Sequence, residues 1–267
     1  MLEEYQEMEE AETKISDWLK GKFLKERLLY AEMVNLMIEA IKASLGNQKN
    51  AGHANLAIST LATRMFNNFE GVKHLLLWGL PAQAQPITRD IIECMLLFRL
   101  FLVKPKSAEK WLIDLTEYQP GDAYAKLTSW GINAQEYAIY GLLSHESHSN
   151  LLASLSHVQE IDVGGKGTLH IFHLGSARTQ EAEYEIQRSF LLLLFLLYIA
   201  LTEPLAIMYH RYSESHVFKN WWENINNIVP KLLELFDEFD KEQLPSEIDD
   251  KLEKLVGKKL RIEKFKE

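Results

Sequence analysis

The run Phe190-Leu-Leu-Leu-Leu-Phe-Leu-Leu-Tyr-Ile-Ala-Leu201 constrains this chain more than any other segment. It continues through Thr202-Glu203-Pro204 into Leu205-Ala-Ile-Met-Tyr209. A helix that is apolar all round must be covered on every side, by the core of a large domain or by a bilayer. A membrane span needs about 20 apolar residues, and Glu203 inside one would cost about 3 kcal/mol. The run is therefore expected to be the buried central helix of a soluble bundle rather than an anchor, and no membrane partner is expected.

The rest of the chain offers helices to cover it. At 267 residues with 47% apolar side chains, the chain is long enough to bury a large core. Ile15, Trp18 and Leu19, then Phe23, Leu24, Leu28, Ala31, Val34, Ile38 and Ile41, recur at the three- and four-residue spacing of a helix face. Helices are expected from about 53 to 79, from Pro86 to about 103, from Ser107 as N-cap, over short stretches up to 157, from 180 to 212 and from 216 to 240. Pro230 is expected to kink or break the last of these.

One segment departs from helical periodicity. Residues 158–163 and 168–174 alternate around Gly164-Gly-Lys-Gly167, the pattern of a small β-hairpin. The glycine loop lacks the spacing and the Lys-Ser/Thr of a phosphate-binding loop. The expectation is an all-α fold: one helical domain over 1–267 with a hairpin insertion at about 158–174. Residues 1–45 read as an N-terminal helical arm and 246–267 as a basic C-terminal helix.

The net charge of -9 argues mildly against a broad nucleic-acid surface. The single cysteine, Cys94, permits no intrachain disulfide and sits in an apolar stretch, which points to a cytoplasmic protein with an inert thiol. The termini carry opposite charge: six glutamates within residues 1–12 against seven lysines and arginines within 251–267. Solvated helix faces account for both, and a basic tail also suits nucleic acid, anionic lipid or an acidic partner terminus.

Three polar clusters are candidates for chemistry. In Leu143-Ser-His-Glu-Ser-His148, His145 and His148 fall three apart, and Asn150 follows. On a helix the histidines share a face. The serines and Asn150 can cap, or the group can line a pocket. A metal would need further ligands, and none is assigned; nor is any cofactor. Arg89 and Glu93 are four apart on an apolar helix, so they pair along a polar seam or line the same pocket as His148, with Arg89 holding an anion. Arg211 and His216 have the Arg-x4-His spacing used by HEPN ribonucleases. There the pair acts across a dimer, without metal, on the ribose hydroxyl and the phosphate. Glu70-x-x-x-His74 is a partial ligand pair lacking the second Glu-x-x-His of a di-iron bundle.

His74-Leu-Leu-Leu-Trp-Gly-Leu-Pro-Ala-Gln-Ala-Gln85, Arg89-Asp-Ile-Ile-Glu93 and Leu143-Ser-His-Glu-Ser-His148 together resemble a family of uncharacterised all-helical bacterial proteins, over about residues 50–210. That resemblance implies a helical fold and a pocket near these motifs, and a more distant likeness to HEPN-type proteins. Two functional readings follow. One is a non-catalytic module that binds a small molecule or a partner, as a homodimer, with the Trp221-Trp222 helix as interface. The other is a metal-independent ribonuclease or RNA-binding effector in stress or phage defence, using Arg211 and His216.

Overall fold

The computed structural model describes residues 2–46, 52–114, 118–132, 134, 136–147, 158–162, 168–172 and 180–241. The body of the molecule is all-α. Helices α1 (Leu2–Lys22) and α2 (Leu24–Gly46) are separated by a single non-helical residue, Phe23. The helical hydrogen bonds carry on across it, from the Phe23 amide to the Leu19 carbonyl and from the Arg27 amide to the Phe23 carbonyl.

Helix α3 (His53–Leu77) ends where the sequence supplies a glycine. Gly79 has φ 73°, in the left-handed region. Its amide donates to the Leu76 carbonyl and the Leu80 amide to the Leu75 carbonyl, the paired closure that satisfies the last carbonyls of a helix. Pro81 then starts α4 (Pro81–Val103), where a missing N–H costs nothing. The helix thus begins five residues before Pro86, which lies inside it. Helix α5 (Pro105–Ile113) likewise opens on a proline. Ser107 is buried in it and does not cap it, because Lys104 precedes the first turn.

Helices α6 (Pro120–Ser129) and α7 (Glu136–Ser147) follow. Helix α6 closes like α3, through Gly131 at φ 74° and a bond from the Ile132 amide to the Leu127 carbonyl. Helix α8 (Gln180–Ala200) carries the apolar run. It widens into one π-helical turn, Leu201–Leu205, before α9 (Ala206–Tyr212). Pro204 has no N–H to offer the carbonyl one turn back, which is the physical reason regular α-hydrogen bonding fails there. Helices α10 (Ser215–Asn226) and α11 (Ile228–Lys241) complete the described part, and Pro230 sits in the first turn of α11 rather than kinking a longer helix.

The apolar run is a core helix: 83% of its most apolar stretch is buried in the protein. Phe190, Phe195, Tyr198 and Leu201 pack among Met33, Met37, Phe69, Phe98 and Phe101 in one continuous core. Helix α4 packs against α3, α7 and α8, and α2 against α8, α9 and α11. Trp221 is core as well, with its indole N–H donating to the Leu36 carbonyl at 3.1 Å, so it does not serve as the interface residue expected from its sequence. Leu29, Tyr30, Met33, Val34, Leu36, Met37 and Ala40 of α2 are buried, whereas Leu24 and Leu28 face out. The first turns are rotated from the stripe expected there, while Val34 is buried and Ile38 and Ile41 pack against the core as expected.

Candidate functional site

Two arginines on α4, ten residues apart, organise the polar groups of the bundle. Arg89 lies in the half of the helix nearer its start. Its guanidinium sits 5.8 Å above the ring of Tyr140 on α7. The Tyr140 hydroxyl donates to Glu93 Oε1 at 3.0 Å. Glu93 Oε1 is also 3.6 Å from Arg89 Nε, too long for a hydrogen bond. Arg89 Nε is enclosed and has no acceptor in reach among the described residues, although the side chain as a whole is about one-third exposed at 32%. A buried donor without an acceptor costs free energy that a bound oxygen would recover.

Tyr140 is the first ring of a column. The Tyr137 ring is 5.5 Å away with planes 8° apart, and Tyr124 stacks on Tyr137 at 4.2 Å and 14°. Such offset stacks add stiffness to the α6–α7 corner that holds Tyr140 over Arg89. On the other flank of α4, Asp90 accepts from Arg64 Nε at 3.0 Å and from Asn68 on α3. Cys94 lies beside them. Burial, reinforced by the Asp90 charge, pushes its thiol up to about 12, so it stays protonated and unreactive at neutral pH.

A small cleft lies next to this seam, between α4, α7 and α8. Gln85 and Thr88, Leu143, and Glu185, Arg188 and Ser189 line it, around a free volume of about 20 Å³. That is room for one water. Gln85 is one turn before Arg89, and Leu143 is one turn after Tyr140. Arg188 pairs with Glu185 at 3.0 Å.

The second arginine, Arg99, is enclosed. Its Nη1 is 3.0 Å from Glu136 Oε1 and its Nη2 meets Glu203 on the π-helical turn. Arg99 and Glu136 are each under 5% exposed. Burial lowers the Arg99 pKa and the Glu136 charge opposes that shift. Burial also raises the Glu26 carboxyl, which sits in the apolar row of α2, against hydrogen bonds from the backbone and from Gln187.

No family model matches this chain, and neither a curated protein nor a solved structure matches it.

The residues singled out in the sequence fall into three groups. Arg89 and Glu93 come together, with Tyr140 as a third member that sequence spacing does not reveal. Arg211 and His216 have separate partners: Arg211 Nη2 donates to the Leu102 carbonyl at the end of α4 at 3.1 Å, and the exposed His216 ring is 3.4 Å from Glu214. His145 belongs to α7, but its side chain lies outside the described residues, as do His148 and Asn150 and the whole basic segment 246–267. Glu70 accepts from Tyr30 at 3.1 Å and pairs with Lys73, while His74 is 3.8 Å from it and exposed. Among the described residues, no three His, Cys, Asp or Glu side chains are grouped to hold a metal.

Proposed function

We propose that this protein is a non-catalytic helical binding module whose site is the seam of Arg89, Glu93 and Tyr140. It takes a small ligand bearing an anionic group. The observation that carries this reading is the enclosed Arg89 Nε, without an acceptor among the described residues and with the Tyr140 ring below the guanidinium. A guanidinium fixed in one plane offers a preformed fork to a carboxylate or phosphate. Glu93, engaged by the Tyr140 hydroxyl, is available to accept from a hydroxyl or amine of the same ligand. His148 and Asn150, which lie outside the described residues, are assigned to the same pocket as part of the proposal. Membership of the helical bacterial family resembled by these motifs is part of the proposal.

The hairpin insertion at about 158–174 is part of the proposal. The antiparallel register of Val158–Asp162 with Thr168–Phe172, Val158 opposite Phe172, supports it.

The ribonuclease reading rests on the Arg211 and His216 spacing, and those side chains engage Leu102 and Glu214 instead of each other. The two readings separate in one experiment. Thermal unfolding is followed with inorganic phosphate, nucleoside monophosphates and dicarboxylates, for the wild type and Arg89→Lys, alongside an RNA cleavage assay. The binding reading expects the midpoint to rise with one anion class and Arg89→Lys to lose that rise, because lysine keeps the charge but not the planar fork. RNA cleavage lost in His216→Ala, with no ligand shift, would overturn it.

A further inference from the structure

We propose that the end of the bundle where α3 begins and α4 ends docks onto an anionic lipid surface. Four large apolar side chains are exposed there: Leu56 50%, Val103 49%, Ile207 46% and Trp130 42%. Printed contacts tie their carriers together. Tyr212 on α9 donates to Asn55, the neighbour of Leu56, at 3.1 Å. Arg211, one turn after Ile207, donates to the Leu102 carbonyl beside Val103. Lys104, next in the chain, sits 5.9 Å above the Trp130 ring. These side chains thus sit on elements that meet here, and Lys104, Lys106 and Arg211 stand near them in the chain, with Glu109 and Glu214 as the carboxylates close in sequence.

The chemistry of this end selects a bilayer over a protein. A partner helix needs a groove lined from two sides, whereas these side chains project from helix ends and turns. A bilayer deforms around such a shape. A tryptophan with a lysine stacked on it suits the headgroup layer, where the ring meets the acyl boundary and the ammonium meets lipid phosphate. The cations also run against a chain of net charge -9, so an anionic surface would orient the molecule with this end inward. A second copy docked face to face on the same patch would set Lys104, Lys106 and Arg211 against their own counterparts.

Vesicle flotation tests this with the full chain and phosphatidylcholine vesicles, with and without phosphatidylglycerol. The wild type should float only with the anionic vesicles and be released by salt. Lys104→Glu with Lys106→Glu should weaken binding by about 5-fold or more per lysine, and Trp130→Ser should weaken it as well. Leu28→Ser removes an exposed leucine elsewhere, at 63% exposure, and should change nothing. All four sites are on the surface, so circular dichroism should show folded variants. Three results would overturn the proposal: a wild type that does not float, flotation that survives the variants at this end and so comes from the basic segment 251–267, or self-association in sedimentation velocity that Trp130→Ser abolishes in place of lipid binding.

Discussion

Arg89 and Arg99 stand on the same helix, face the same neighbour α7 and each meet a glutamate, yet the two sites behave as opposites. Arg99 is closed in by Glu136 and Glu203, so its charge is spent inside the protein. Removing either ion of such a buried pair leaves the other stranded in low dielectric. Arg89 lies over a tyrosine ring, keeps about one-third of its surface, and has an enclosed donor unmatched by the nearby Glu93. On the proposed reading, the contrast separates a charge that holds the bundle together from a charge that meets a ligand. Exposure and the number of facing carboxylates make that distinction: Arg99 is 4% exposed between two glutamates, and Arg89 is 32% exposed beside one.

The comparison breaks first if Glu136 proves dispensable. Glu136→Ala should cost about 3–5 kcal/mol in urea unfolding, and Glu93→Ala in the open seam only about 1 kcal/mol. Equal losses would make both pairs structural. Tyr140→Phe comes next. Losing its bond to Glu93 should cost about 1 kcal/mol of stability, and the loosened Glu93 should weaken whatever ligand the seam holds. Glu26 sharpens the contrast from the other side, as a buried carboxyl set against Gln187 rather than a guanidinium. Its folded pKa is raised, so the native state binds the proton more tightly than the unfolded chain. Its contribution is present below the ordinary carboxylate range and lost as pH rises through the raised value. Glu26→Gln should therefore stabilise the protein at neutral pH, with the gain shrinking as acid titrates the wild type. The smallest effect is expected at His216→Ala, an exposed site where unfolding should shift by no more than about 0.5 kcal/mol.

How much of this was legible in the sequence follows from the range of each interaction. The central helix was readable because twelve apolar residues in a row admit few placements. The Arg89 and Glu93 pairing was readable from a four-residue spacing. Tyr140, 47 residues from Glu93, was not, since no local rule links them. Arg99 was visible as a charge inside an apolar stretch, which demands a carboxylate, but nothing local pointed to Glu136 or Glu203. In the sequence Glu203 spoke only against a membrane span; in the fold it is delivered to Arg99 by the turn that Pro204 forces. The first turns of the α2 face were misplaced for a related reason. Its buried row runs Phe23, Glu26, Tyr30, Met33, Met37, and a glutamate in that row argues for a rotation that puts Leu24 and Leu28 inside instead.

The most direct test of the central claim is a side-chain 1H–15N spectrum of the arginine Nε–H groups during titration with inorganic phosphate, a nucleoside monophosphate and a dicarboxylate. Arg89→Lys and Arg99→Lys would assign the two signals. The account predicts that the Arg89 signal moves with one of these anions while that of Arg99 stays fixed. An Arg89 signal unmoved by all three, or the two signals moving together, would contradict it.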